Sequence, residues 1–419
     1  MRSHPLRVLP ILALVLTACA PGDRPQGSGG TEGSPAAAGD RLVLAGAGTL
    51  LEVNAGTGAL ILSAPDGSSA GDGTGLFATR STGGSTVVES LDPATGRATD
   101  VATLRGTLVI RSVSRDGTNV ALTAPMPPGY TDWAPPPSRT TDIAVVNVAD
   151  GSVHRLHLRG NYQPESFSTD DETLFMLSYE PPMAPTLYRV RGVYIEKARV
   201  VDVFGPNKQP VENMTATRLQ QVSAPDGSAL YTLYSNQPPA YLAGNGATTA
   251  EPDERAFVHT LQLSDSVGFA VCIRLPDVFG TVPASSSAIA VSPDGSTVYA
   301  VDAMHGDVAS VTVERQKVKN ASVDLTAVNG DRTAATTSSD GRTLFVGGGG
   351  AIVAVDLATM SVRNTWQVGG SLTDLALSPD GRRLYVSFAD HVVVLSATTG
   401  RDLGSIGTGA ETIEGVAAG

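Results

Sequence analysis

The chain has 419 residues, a formal net charge of −12 at pH 7 and only 5% aromatic residues. Its 41% hydrophobic content suits a globular protein, while 46 glycines and 27 prolines favour many short strands joined by tight turns. The acidic balance excludes binding of DNA, RNA or an anionic membrane surface through the folded body. We therefore expect no nucleic-acid partner.

The first residues have the pattern of an export signal. Arg2 and Arg7 give a basic start, and the apolar stretch 8–16 is too short to span a bilayer permanently. The tetrapeptide Leu16-Thr17-Ala18-Cys19 resembles a bacterial lipobox. The resemblance implies that 1–18 is a lipoprotein signal peptide and that Cys19 is the lipidated mature N-terminus, held on the extracytoplasmic face of a bacterial membrane. The alternative is an ordinary secretory signal with a chance cysteine.

The segment after the lipobox has almost no apolar bulk. We interpret residues 19–39 as the lipidated cysteine and a flexible tether, and residues 40–419 as the folded body. The chain contains two cysteines. With Cys19 lipidated, no intrachain disulfide can form. Cys272, in the apolar run 269–275, is predicted to be a buried and inert thiol.

A repeated phrase organises the folded body. An apolar run is followed by Ser-x-Asp-Gly and then by a β-branched or aromatic run, and we find no convincing amphipathic helix. The aspartate of the phrase falls at positions 66, 116, 170, 226, 294, 340 and 380. The spacing is close to the length of one β-propeller blade. The copies at Asp66 and Asp170 are the weakest.

One unit can be divided into four strands, called a to d. The predicted strands of the last complete unit are 373–378, 383–388, 391–396 and 402–406. The N-terminal strands 41–46, 50–54 and 59–63 have the pattern of b, c and d, and 412–418 has that of a lone strand a. Joined, they make one blade from both chain ends, which removes exposed sheet edges. The sequence predicts an all-β fold, a single propeller of seven or eight four-stranded blades.

The motifs of the last two units resemble those of YVTN-type and YncE-like propellers, and more loosely those of the seven-bladed lactonase family. They are Ser378–Gly381, Leu384-Tyr385-Val386, Val353–Asp356 and Val368-Gly369. The resemblance covers residues 40–419 and implies the propeller fold. It does not specify an activity, because propellers host many unrelated functions.

Propeller geometry places the a–b and c–d turns on one face and the b–c and d–a connections on the other. The long insertions 124–141, 179–186, 235–255 and 276–285 all belong to the second face. Aromatic side chains on rigidly held loops are favoured binding anchors. The candidate binding residues on this face are Tyr130, Trp133, Tyr179, Tyr241, His305 and His391. The alternative is that these loops only pack over the blade tops.

Catalytic patterns are missing from the sequence. Asp226, Asp294, Asp340 and Asp380 are interpreted as turn formers. No nucleophile elbow, phosphate-binding loop or EF-hand spacing occurs, so we expect no catalytic residue, no metal and no cofactor.

Three functions remain open. We favour a monomeric, membrane-anchored propeller that binds or scaffolds a protein, peptide or glycan of the cell envelope. The alternative is a lactonase-like hydrolase with its site at the central channel, which predicts acidic and basic residues converging there. A purely structural envelope protein is the third.

Overall fold

The computed structural model describes residues 39–46, 48–71, 75–131, 134–237, 255–264, 268–281, 283–408 and 410–418. They form eight four-stranded antiparallel sheets, which are the blades of a β-propeller. The all-β prediction is confirmed, and the open count of seven or eight blades is settled at eight. The predicted site residues Cys19, Trp133 and Tyr241 lie outside the described residues.

The strands are numbered in chain order. Blades 1 to 4 contain β1 (Arg41–Gly46), β2 (Thr49–Asn54), β3 (Leu60–Pro65); β4 (Ser68–Ser69), β5 (Leu76–Thr82), β6 (Ser85–Leu91), β7 (Ala98–Arg105); β8 (Val109–Val113), β9 (Asn119–Thr123), β10 (Thr140–Asn147), β11 (Val153–Arg159); β12 (Asn161–Phe167), β13 (Thr173–Glu180), β14 (Leu187–Tyr194), β15 (Arg199–Asp202). Blades 5 to 8 contain β16 (Thr217–Ser223), β17 (Ala229–Ser235), β18 (Ala256–Gln262), β19 (Phe269–Arg274); β20 (Ser287–Val291), β21 (Thr297–Asp302), β22 (Asp307–Thr312), β23 (Lys317–Ser322); β24 (Thr333–Thr337), β25 (Thr343–Gly348), β26 (Ala351–Asp356), β27 (Ser361–Gln367); β28 (Asp374–Leu377), β29 (Arg383–Ser387), β30 (Val392–Ser396), β31 (Asp402–Ile406). The last strand, β32 (Thr412–Ala417), completes blade 1. Short 3-10 turns occur at Ala284–Ser286 and Thr326–Val328.

The first and last strands of the folded body pair in blade 1, as predicted. Strand β32 pairs antiparallel with β1, with Arg41 opposite Ala417. Just before β1, the buried carboxylate of Asp40 accepts hydrogen bonds from Arg383 Nη1 at 2.8 Å and from the Tyr385 hydroxyl at 2.6 Å. Because both donors belong to β29, the start of the folded body is fastened to blade 8 as well as to the last strand.

Blade 2 explains the ambiguous count. Its first strand, β4, has only 2 residues, which leaves room for a complete β3 before it. Asp66, with φ of +53°, therefore lies in the connection from β3 to β4. The weak copy of the phrase at Asp66 therefore does not form an a–b turn, because that turn of blade 2 lies between β4 and β5.

The Ser-x-Asp-Gly phrase builds its turn through one hydrogen-bond pattern. In blade 6, the Ser292 hydroxyl donates to Asp294 Oδ1 at 2.6 Å, and the Ser296 N–H donates to the same oxygen at 3.0 Å. The N–H of Thr297 donates back to Ser292 Oγ at 3.0 Å. Gly295 has φ of +71°, a conformation that glycine adopts without a steric penalty. The same contacts recur at Asp116, Asp170, Asp340 and Asp380.

The core lies between blades. Alternating apolar residues of neighbouring sheets interlock, as Leu233 and Val258 of blade 5 do with Ile289 and Ala300 of blade 6. The first strands of neighbouring blades pack on one another around the centre, for example β20 on β24. These first strands are called inner strands below. The short a–b and c–d turns form the turn face, and the b–c and d–a connections form the loop face.

Candidate functional site

The loop face carries the predicted Tyr130. This residue lies in the b–c connection of blade 3, and 44% of its surface is exposed. A bridge between Thr131 and Ala134 and a hydrogen bond from the Tyr130 N–H to Pro127 O order the loop locally. Tyr130 is therefore presented to solvent as the sequence predicts.

Tyr179 is not in a loop. Pairing of β13 with β14 continues to Glu180 opposite Leu187, so Tyr179 is a strand residue with 2% of its surface exposed. Its hydroxyl donates to Gln163 Oε1 at 3.1 Å, and its ring lies 6.0 Å from that of Tyr188. The prediction of Tyr179 as a loop anchor is wrong, because the strand extends up to the prolines that suggested a loop.

His305 and His391 both lie in b–c connections on the loop face, as predicted. His305 Nδ1 is 2.8 Å from Asp302 Oδ2, and His391 Nδ1 is 2.6 Å from Asp390 Oδ1. The His391 ring also stacks on Phe388 at 4.6 Å. Burial raises the pKa of Asp302, whereas the hydrogen bond from His391 lowers that of Asp390. No contact among the described residues joins the two histidines, and no cluster of three or more His, Cys, Asp or Glu side chains there could hold a metal.

Cys272 is exposed, contrary to its prediction as a buried thiol. It belongs to β19, the outer strand of blade 5, where Cys272 and Arg274 point away from the sheet face that buries Ile273. Nearby protein still desolvates the thiolate and raises the pKa of Cys272 to about 12. The thiol is therefore protonated at neutral pH, which disfavours a nucleophilic role.

A cleft of about 860 Å³ opens on the loop face and is called the blade 3 cleft below. It runs from the outer strand β11 across blade 3 to the inner strands β8 and β12. The b–c connection of blade 3 forms one wall with the segments 124–127 and 135–138. The polar and aromatic residues of its lining include Arg105, Arg111, Asp142, Arg155, His157, Asn161, Tyr162 and Gln163.

The charge of this cleft contrasts with that of the chain. Its lining contains Arg105, Arg111 and Arg155 but only one carboxylate, Asp142. Asp142 Oδ1 is 2.6 Å from His157 Nδ1. Arg111 Nε donates to Thr123 Oγ1 at 3.2 Å, whereas Arg105 and Arg155 have no hydrogen bond or ion pair with any residue that the structure describes. The cleft is thus a positive site in a protein of net charge −12.

The wall of the cleft is held in place by Asn161. This side chain has 6% of its surface exposed and donates to Pro136 O at 2.8 Å and Pro182 O at 3.3 Å. The Ser138 N–H also donates to Pro182 O at 3.0 Å. A proline-rich wall fixed at two connections loses little entropy when a ligand binds.

Sequence reasoning missed these arginines. Arg105 ends β7, Arg111 sits at a bulge in β8, and Arg155 lies in β11, so elements distant in sequence bring them together. The alternation in Val153–Arg159 is typical of a strand with one face exposed to solvent, but no sequence signal shows which arginines lack a carboxylate partner.

Charged side chains also join two inner strands near the centre. Arg218 Nη1 of β16 lies 2.7 Å from Glu165 Oε1 of β12, and Gln221 Nε2 donates to the same oxygen at 2.7 Å. Glu165 occupies a bulge in its strand. An acidic and a basic group therefore meet between inner strands.

The fold and these sites define the chain as a β-propeller protein. No protein-family model matches the chain, and no curated protein matches it. Among solved structures, apo AztD from Citrobacter koseri is similar at 12% identity and a TM-score of 0.51, over 88% of this chain and 95% of that one. Dihydro-heme d1 dehydrogenase NirN, solved in complex with DHE, is similar at 13% identity and a TM-score of 0.51, over 88% and 73%. These likenesses show the fold alone.

The described residues contain no helix with the length and apolar character needed to cross a membrane.

Proposed function

We propose that this protein is a membrane-anchored extracytoplasmic propeller that binds an anionic protein segment, peptide or glycan of the cell envelope in the blade 3 cleft. The observation that carries the proposal is the pair Arg105 and Arg155, unpaired within the described chain, in a preformed cleft of an acidic protein. Arginine suits carboxylate and phosphate ligands because its fork of donors matches their geometry.

The anchor in this proposal is Cys19, with 1–18 as the signal peptide and 19–39 as the tether. A lipid on Cys19 would leave the folded body free to meet ligands near the membrane surface. Fractionation of bacterial cells tests this part. We expect the full chain in the membrane fraction and the Cys19→Ala variant in the soluble fraction. Equal membrane retention of both would contradict the lipid anchor.

Binding is tested on the full chain with defined probes. We expect a Glu-rich peptide or polygalacturonate to bind saturably and neutral dextran not to bind. The double variant Arg105→Ala/Arg155→Ala should weaken binding at least about tenfold, since each lost charge-assisted bond contributes roughly 1.5–3 kcal/mol.

The matched control is Arg315→Ala/Arg401→Ala, which removes two exposed arginines from the turn face. It should leave affinity unchanged. Equal losses in the two double variants, or no binding of either acidic probe, would reject the proposal. The two acidic probes separate a peptide from a glycan ligand.

A second candidate function, a lactonase-like hydrolase, is favoured by the Glu165–Arg218 pair. Glu165 has only 9% of its side chain exposed, and a shielded carboxylate between inner strands could act as a base. The expected result is lactone hydrolysis by the full chain that Glu165→Gln abolishes and Glu172→Gln, in the neighbouring turn, preserves. A chain that hydrolyses no lactone, or that is equally active as Glu165→Gln, would exclude this candidate.

A further inference from the structure

A second cavity lies at the boundary of blades 4 and 5, apart from the blade 3 cleft. Its volume is about 770 Å³, within the range of small-molecule sites. One wall is the connection between β15 and β16, and the other is formed by β18 and β19. The lining residues that matter here are Met214, Asn236, Phe257, His259, Cys272 and Arg274.

His259 is the unusual member of this lining. Only 4% of its surface is exposed, and its imidazole forms no hydrogen bond with any described residue. Its ring meets Tyr234 edge-on, with centroids 6.0 Å apart. Burial lowers the pKa of His259 to about 4, so the ring is neutral at physiological pH and offers one donor and one acceptor. A ligand in the cavity can use this donor and acceptor, because His259 lines the cavity and has no hydrogen bond with a described residue.

The remaining walls are mostly apolar, and they include an aromatic ring and a polarisable thiol. Phe257 stacks on Tyr234 at 5.3 Å, continuing a row of rings through Tyr188 to Tyr179. Cys272 lies directly opposite His259 in the β18–β19 register and adds a polarisable, protonated thiol. A flat ring suits such walls because it can stack against Phe257.

The charge of the cavity is balanced. Its charged lining residues in the described chain are Glu212 and Arg274, which have opposite signs. Arg274 also has an interaction of its own. A ligand with a net charge would therefore gain little attraction on entry and would lose its hydration.

We infer that this cavity binds an uncharged small molecule that has an aromatic ring and a hydrogen-bonding group, with the ring against Phe257 and the polar group on His259. This inference is independent of the proposed function, because none of these residues lines the blade 3 cleft.

The test is calorimetric binding of benzamide and indole to the full chain, beside the charged analogues benzoate and benzylamine. We expect saturable binding of an uncharged probe with a Kd below about 1 mM, and binding of both charged analogues at least about tenfold weaker. Absence of saturable binding of benzamide and indole, or equal binding of benzoate, would overturn the inference.

Variants locate the probe. His259→Leu keeps the volume but removes the hydrogen bond, and should weaken binding about tenfold. Cys272→Phe fills the cavity from an exposed position and should abolish binding, while Cys272→Ser should preserve it. If the His259→Leu variant does not fold, the comparison of Cys272→Phe with Cys272→Ser tests whether the probe binds in this cavity. Unchanged binding by Cys272→Phe would place the probe elsewhere and contradict the inference.

Discussion

The turn face and the loop face use charged residues in opposite ways. On the turn face, five of the repeated aspartates are bound by the serine and a backbone N–H of their own turn, as Asp294 is by Ser292 and Ser296. On the loop face, Arg105 and Arg155 line a cleft without a partner among the described residues. Charged groups that have hydrogen-bond partners within the protein stabilise the fold, whereas charged groups without such partners are available to bind ligands. The repeated residues are therefore scaffold, and the unrepeated ones are the better candidates for function.

The largest stability effect is expected on the turn-face side, at Asp40. Replacing Asp40 by Ala leaves Arg383 and the Tyr385 hydroxyl unpaired in a largely buried setting. Breaking a buried pair in this way costs about 3–5 kcal/mol. Urea unfolding of the full chain measures the loss. The exposed Asp390→Ala on the loop face is the control, and an equally small change in both would show that Asp40 does not fasten the blades.

Loss of the hydrogen bonds in one repeated turn should destabilise the fold less than loss of Asp40. The variant Asp294→Ala removes the acceptor for Ser292 Oγ, the Ser296 N–H and Ser296 Oγ. We expect a loss of about 1–2 kcal/mol in the free energy of unfolding. Arg315→Ala, also on the turn face, should change it by less than about 0.5 kcal/mol. If Asp294→Ala were as neutral as Arg315→Ala, the repeated aspartates would not be structural.

One carboxyl group of the turn face, that of Asp171, should make the stability of the fold depend on pH. Burial, followed by the nearby charge of Asp116, raises the pKa of Asp171 to about 6. A carboxyl whose pKa is raised on folding binds its proton more tightly in the folded state, so its ionisation destabilises the fold at neutral pH. Protonation of Asp171 should therefore raise the free energy of unfolding by about 1 kcal/mol between pH 7 and pH 5.

Asp171→Asn tests that prediction, because asparagine tolerates the φ of +60° found there. The variant should be more stable than the wild type at pH 7 and should show a smaller gain on acidification to pH 5. Asp390→Asn, whose pKa is lowered by His391, should show no such gain at pH 7. Identical pH profiles for wild type and Asp171→Asn would contradict the assignment.

Much of the fold could be predicted from the sequence, because propeller repeats are local patterns. The phrase at Asp294 encodes its own turn, and the strands at both ends of the chain encode the closing blade. The count of seven or eight blades stayed open near Asp66, because β4 has only 2 residues and leaves almost no pattern. Asp171 shows how a missing glycine is tolerated, because the residue itself takes a φ of +60°.

The sites were harder to predict. Tyr179 and Cys272 were misplaced because strand ends and outer-strand faces depend on pairing that short windows do not show. Arg105 and Arg155 come from the outer strands of two blades, and only the assembled ring reveals that they share a cleft. The sequence of β18 does not distinguish His259 from an ordinary strand residue, because its lack of a hydrogen-bond partner among the described residues depends on the cavity.

The smallest expected stability effect belongs to the loop-face arginines. Arg105→Glu/Arg155→Glu should change the free energy of unfolding by less than about 0.5 kcal/mol, because neither side chain has a hydrogen bond or ion pair with a described residue to lose. The matched change on the turn face is Arg315→Glu/Arg401→Glu. Urea unfolding of both double variants checks that the cleft residues are not part of the scaffold.

The most direct test of the central claim is fluorescence anisotropy of labelled Glu-rich and Lys-rich peptides with these same variants. The wild type should bind the Glu-rich peptide in a salt-dependent way, and Arg105→Glu/Arg155→Glu should lose it and gain affinity for the Lys-rich peptide. The turn-face variant should behave as the wild type. If charge reversal in the cleft leaves peptide preference unchanged, or if the turn-face variant changes it equally, the loop face is not the binding face.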